Sequence, residues 1–267
     1  MSAAGIRARV SEGRNLWRAL QSEHAPTSTG GVTVSGMLAA ELARELGAGA
    51  DPGAVTAGAV PRVARADVAV HVIAGVPSDE DTAFVRTSDA AGFPVVLVQL
   101  WPQAEWTLPF VLSPFVVECR AGEGFPVREI ADRIAEGAES ASALAARVPV
   151  LQEAVTADVV RGAIVRAVLL AATGARRRSS RPLIALEQAR MISRLRTIDP
   201  RPTLPGGSHA VVGGAALVYA AGFACRGAAR AARRMLPAPV VDATFAAAGT
   251  WALAKALQQI EARSPSP

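Results

Sequence analysis

The sequence predicts an α/β half, a small and mostly parallel sheet with flanking helices, followed by an all-helical half. Three observations predict it. A chain of 267 residues that is 51% hydrophobic and 19% charged can bury a core, so wholesale disorder is excluded. Short valine-rich runs at residues 67–74, 93–100 and 115–119 alternate with helix-like segments, which is the pattern of parallel strands buried on both faces. Beyond Pro149 no strand pattern recurs, and an aromatic content of 4% favours closely packed helices over a sandwich rich in rings. The expected organisation is a polar lead-in over 1–29, an α/β domain over 30–148 and a helical domain over 149–263.

The elements follow in order. Within the lead-in, a short helix is expected near Trp17. "GVTVSG" from Gly31 reads as a strand, and "MLAAELARELG" has apolar residues at helical spacing and stops at Gly47, placed as a C′ glycine. "AVTAGAV" is a further strand candidate. The run at 67–74 is too short for an ordinary helix. Ser78 is then a natural N-cap, and Asp79, Glu80 and Asp81 fill a first turn in which the helix dipole favours anions. That helix runs to Gly92, and "FPVVLVQL" completes a βαβ unit. "WPQAEWTLP" reads as a loop, "FVVEC" as the next strand, and one amphipathic helix is expected from Val127 to about Arg147. Four helical segments are expected after it, at 151–173, 182–197, 208–236 and 239–263, separated by "GARRRSSR", "DPRPTLPGG" and "PAP".

The succession of strand, acid-opened helix, strand, loop, strand, "AGEGF" and long helix over residues 31–147 resembles the later part of a Ras-like GTPase domain of the bacterial Era type. That resemblance implies a guanine-reading Asn-Lys-x-Asp after "FPVVLVQL" and a Ser-Ala-x-x-Gly-x-Gly loop near Cys119, Arg120, Gly122 and Gly124. The chemistry departs from the family. A phosphate-binding loop needs a lysine that reaches the β- and γ-phosphates, and the chain's only lysine is Lys255. Its only asparagine is Asn15, and Gln99, Leu100, Trp101 and Pro102 stand where the guanine motif would be. "VTVSGMLAAEL" passes from strand to helix through Ser35 and Gly36 alone, too short a turn to wrap a triphosphate. The expected identity is a pseudo-GTPase without cofactor.

"PLIALEQARMISRLRTIDPRP" and "LPAPVVDATFAAAGTWALAKAL", with the glycine-rich helices between them, resemble the YcjF-type helical domain of unknown function that follows Era-like domains. This likeness covers about residues 150–260 and implies membrane association in some members. Residues 206–225 carry no formal charge and have the length of a span, but their apolar content is weak, and small residues at Gly213, Gly214, Ala221, Gly222 and Ala224 suit close helix packing. A core helix and a membrane span both stay open here. Arg176, Arg177, Arg178, Arg230, Arg233 and Arg234 are candidates for contact with anionic headgroups at the inner face of a membrane.

Other constellations are weak. The net charge of +5, from 28 cations and 23 anions, does not by itself point to nucleic acid, and "ARRRSSR" has no interleaved aromatic for stacking, so nucleic acid is not an expected partner. Cys119 and Cys225 form no metal or redox spacing and fit a reducing cytoplasm, and the N-terminus lacks the apolar run of a signal peptide. His24, His71 and His209 are scattered, and mid-strand His71 reads as a satisfied core imidazole. Helix capping accounts for the three carboxylates after Ser78, and no Gly-x-Ser-x-Gly elbow occurs. Trp101, Trp106 and Phe110 form an aromatic loop that suits core filling or partner contact. The function expected is a non-catalytic interaction protein whose partner could be an intact GTPase. The alternatives are a hydrolase using arginines such as Arg62 or Arg65, and an integral membrane protein.

Overall fold

The computed structural model describes residues 30–58, 67–90, 92, 94–101, 115–120, 122–174, 180–198 and 237–263. The chain divides into two compact units, one built on Pro26–Asp158 and the other on Val159–Arg196 and Pro200–Pro267. The lead-in, the loop after Trp101 and the helical segment expected at 208–236 lie outside the described residues.

The first unit holds five strands: β1 (Val32–Gly36), β2 (Val55–Ala57), β3 (Val68–Ala74), β4 (Val95–Leu100) and β5 (Val116–Cys119). They form one sheet in the order β2-β1-β3-β4-β5, and every neighbouring pair is parallel. Side chains alternate faces along a strand, and in-register partners share a face. The register Ser35–His71–Leu97–Val116 therefore sorts the sheet into two unlike faces. One carries Val32, Val34, Val68, Val70, Val72, Val96, Val98 and Val117, all buried. The other mixes Ile73 and Leu97 with the buried polar groups Thr33, Ser35, His71 and Gln99.

Helices α1 (Ala39–Leu46) and α2 (Asp79–Ala90) return the chain from β1 to β2 and from β3 to β4, in opposite directions across the sheet. Right-handed crossovers then put them on opposite faces. α2 lies on the mixed face, where Val85 packs with Ile73 and Leu97. α1 thus takes the valine-rich face and buries Leu42 and Leu46.

Two local expectations are corrected. The helix expected from Val127 to Arg147 is two helices, α3 (Val127–Gly137) and α4 (Ala141–Arg147), with Ala138 extended at φ −73° and ψ 126° between them. The stripe of Ile130, Ala131, Ile134 and Ala135, continued at 100° per residue, would carry Leu144 about 100° off its centre. Breaking at Gly137 resets the phase, and Leu144, Ala145, Val148 and Leu151 are all buried. Gly47 caps α1 with φ −83° rather than in the left-handed region. It is glycine because a Cβ there would meet the Ala43 carbonyl oxygen at 2.8 Å.

A 3₁₀ turn over Pro149–Leu151 leads into α5 (Gln152–Gly174), followed by α6 (Ser180–Ile198) and α7 (Ala238–Arg263). Glu187 on α6 accepts from Arg166 on α5 and from Arg190, both at 2.8 Å. Burial raises the Glu187 pKa, but these two guanidinium partners outweigh it and hold the carboxyl below its ordinary range. Gln188 donates to Thr250 on α7 at 3.3 Å. Among the described residues, no helix is long and apolar enough to cross a membrane.

Candidate functional site

The strand order reverses direction at β1, so β1 and β3 flank the point where connections leave toward opposite edges. Open parallel sheets bind ligands at the carboxyl ends of such strands. Here that position is occupied by a chain of hydrogen bonds. Ser35, near the end of β1, lies 2.8 Å from Nδ1 of His71 on β3. Nε2 of His71 lies 2.8 Å from Oδ1 of Asp81 in the first turn of α2. With Nε2 protonated and Nδ1 bare, every member has a partner: the serine hydroxyl donates to Nδ1, and the Nε2 proton goes to the carboxylate.

Asp81 is held from its own helix as well. The Ser78 backbone N–H donates to Oδ2 at 2.8 Å, the Ser78 hydroxyl donates to the same oxygen at 2.7 Å, and the Asp81 N–H returns a bond to that hydroxyl at 3.1 Å. This is a reciprocal capping box with aspartate in the third position. The sequence reading assigned Asp79, Glu80 and Asp81 wholly to capping; for Asp81 that is corrected, because its second oxygen ties α2 to the sheet through His71. The imidazole also stacks on Phe84, with ring centroids 4.4 Å apart.

Hydroxyl, imidazole and carboxylate in series are the parts of an activated nucleophile. In this setting they act as a clamp. Ser35 is 2% exposed and His71 is 6% exposed, so the serine oxygen presents no face to an incoming substrate. Met37 and Leu38 make the turn between β1 and α1, which corrects the expectation that Ser35 and Gly36 alone would do so. The Met37 N–H donates to the Val72 carbonyl at 3.0 Å, and Gly36 lies against that carbonyl with φ +90°. No loop is left there for backbone amides to cradle a phosphate chain.

The carboxyl ends of β4 and β5 are filled as well. Gln99, where the guanine motif would begin, is 5% exposed, with its Nε2 unpartnered among the described residues. After β5 the chain folds back so that the Cys119 thiol points at the Gly124 carbonyl, 3.4 Å away. Burial, helped by Glu123 and Glu45, pushes that thiol's pKa up.

Above this closed layer the surface turns apolar. Among the described residues of the first unit, the large hydrophobic side chains that stand exposed are Met37, Leu38, Val76 and Trp101, from 45% exposed at Leu38 to 76% at Val76. All four follow the carboxyl ends of three adjacent strands, β1, β3 and β4. Leu38 and Trp101 have left-handed backbones, φ 55° and 54°. Bulky residues rarely adopt that region, and such outliers gather at functional surfaces.

Of the aromatic contact candidates, Trp101 therefore lies at this edge, while Trp106 and Phe110 fall outside the described residues. So do Arg62, Arg65, the basic positions Arg176, Arg177, Arg178, Arg230, Arg233 and Arg234, and residues 206–225. Sequence reasoning missed Ser35 as a partner of His71, and it missed Met37, Leu38 and Val76. The shared face of Ser35 and His71 was in principle visible, since polar residues at alternate positions of "VTVSG", "AVHVI" and "VLVQL" mark it, but their pairing was not. Among the described residues, no group of three or more His, Cys, Asp or Glu is arranged to hold a metal ion.

The relay carries a pH prediction. Burial raises the Asp81 pKa, but the bonds from Ser78 and His71 outweigh it, leaving the carboxyl below its ordinary value of 3.8. A depressed folded-state value means stability that is fully present above the unfolded value and lost as pH falls through the folded one. Asp81→Asn should cost about 1 kcal/mol at neutral pH, as loss of a cap does. The gap between the two proteins in urea midpoint should close as pH drops from about 5 to about 2. A gap that stayed constant over that range would show that the carboxylate charge plays no part.

No protein-family model matches the chain, and neither the curated proteins nor the solved structures yield a match.

Proposed function

We propose that this chain is a non-catalytic interaction protein built on a vestigial GTPase-like sheet, with an all-helical unit attached. One observation carries the reading: the carboxyl edge, where such sheets hold nucleotides, is closed by the Ser35–His71–Asp81 clamp and roofed by exposed Met37, Leu38, Val76 and Trp101. An apolar surface over a sealed polar layer suits a protein partner better than a triphosphate, because among the described residues carboxylates outnumber cations at this edge and the turn after β1 leaves no free amide nest. An intact GTPase is the partner that the resemblance suggests. The cytoplasm is its proposed location, with the arginine-rich stretches at 176–178 and 230–234 open to contact with anionic headgroups at the membrane's inner face.

The reading is tested by calorimetry of the full chain with GTP, GDP and ATP in magnesium buffer. No binding heat is expected for any of the three. Micromolar affinity for one of them would overturn the proposal and would favour a hydrolase working without the usual lysine.

A further inference from the structure

We propose that the carboxyl edge of the sheet docks a cationic, amphipathic helix of a partner protein. This inference rests on the interaction reading above and specifies the chemistry of what binds.

Geometry sets the first requirement. The apolar side chains stand on three successive strand ends, Met37 and Leu38 after β1, Val76 after β3 and Trp101 after β4. Neighbouring strands lie about 4.8 Å apart, and successive turns of a helix repeat about every 5.4 Å. A helix laid across the row would set residues i, i+3 or i+4, and i+7 over the three strand ends, the spacing by which grooves read amphipathic helices. Met37 adds an adaptable side chain, and Trp101 a wide, rigid one.

Charge sets the second. Among the described residues, the connections and first helical turns at this edge carry the carboxylates Glu41, Asp79, Glu80, Asp81, Glu123 and Glu129 against two guanidiniums, Arg120 and Arg128, the second of them paired with Glu153. The chain as a whole is +5, so the edge has the opposite sign to the molecule that bears it. Asp79 and Glu80 are exposed in the first turn of α2, and neither is paired with a cation among the described residues. An apolar patch beside unneutralised carboxylates selects an apolar stripe flanked by Lys or Arg, and it repels anionic lipid and nucleic acid.

The two left-handed residues allow a clean probe. Asparagine tolerates the left-handed region and is a favourable N-cap, so Leu38→Asn and Trp101→Asn remove apolar surface while relieving the backbone. The double variant should unfold at the same temperature as the parent or higher.

The experiment uses the full chain and two synthetic helical peptides of about 18 residues with the same leucine stripe, one with a lysine polar face and one with a glutamate face. The lysine peptide is expected to bind with micromolar Kd by calorimetry, at least about ten-fold more tightly than the glutamate peptide, and the double variant should weaken it at least about ten-fold. Equal affinity for the two peptides would overturn the cationic assignment while leaving the apolar edge in place. Lysine-peptide binding untouched by the double variant would overturn the edge itself. Dimerisation of the chain that the double variant abolishes would assign the edge to a second copy and overturn the proposal, as would binding to phosphatidylglycerol vesicles that depends on Trp101. Nucleotide binding in the earlier calorimetry would instead remove the reading on which this one rests.

Discussion

Gly36→Ala should unfold the sheet unit or cost it about 3 kcal/mol or more, the range reserved for backbone strain and steric overlap in a core. Gly36 ends β1 with φ +90°, where side chains are rarely accommodated. A Cβ there would fall 2.0 Å from the Val72 carbonyl oxygen, 2.9 Å from its carbon and 3.0 Å from its nitrogen. All three obstacles are backbone atoms of the strand between β1 and β4, so no side chain can rotate away to make room. Relief would separate β1 from β3 and break the Met37–Val72 bond that turns the chain into α1. Gly53→Ala is the control. Gly53 also has a positive φ, 77°, but an added Cβ meets nothing within 4 Å, so only the left-handed penalty of about 1 kcal/mol is expected. Urea denaturation of both variants separates conformational strain from overlap. If the two costs agree within about 0.5 kcal/mol, the close approach of β1 to Val72 is not what requires glycine.

The sheet was legible in the sequence because parallel strands buried on both faces are largely apolar and short, and the valine-rich runs at β3 and β4 are both, His71 and Gln99 being their polar exceptions. The start of α2 was equally plain, since Ser78 and the acids behind it supply the cap and complement the dipole in one stretch. The break between α3 and α4 was not, because "AEGAESASALAAR" holds no proline and its many alanines fit either face of a helix, which hides that Leu144 has drifted off the stripe of Ile130 and Ile134. The edge was misread for a related reason. "MLAAELARELG" scans as one stretch with apolar residues at helical spacing, so Met37 and Leu38 were read as part of the helix rather than of the turn before it. In the structure α1 begins only at Ala39, and the two side chains stand in solvent on a strained turn. The clamp needed information that no local window holds. Ser35 and His71 are 36 residues apart and become neighbours only through the register of β1 on β3. The alternation of polar residues within the strands marked a shared face, but which hydroxyl meets which nitrogen is a tertiary fact.

His71→Phe should cost about 2 kcal/mol or more, and Ser35→Ala should recover part of that loss. The phenyl ring can keep the stack on Phe84, so the loss isolates the hydrogen bonds rather than the packing. Without an imidazole, the buried Ser35 hydroxyl loses its acceptor and the Asp81 carboxylate loses one of its donors. The two losses differ in kind. Asp81 keeps the Ser78 amide and hydroxyl and is only partly buried, so its share is small. Ser35 is 2% exposed and has no water to fall back on, and an orphaned buried hydroxyl costs about 1–3 kcal/mol. Removing the hydroxyl as well replaces both partners by apolar groups, a change that can be nearly neutral. The double variant should therefore be more stable than His71→Phe alone, even though Ser35→Ala by itself destabilises the parent. A thermodynamic cycle on urea midpoints reads the difference directly, with a coupling of about 1 kcal/mol or more expected for groups in one buried network. Additivity within about 0.3 kcal/mol would mean that the serine and histidine are neighbours without being partners, and the account of the closed sheet edge would fail with them.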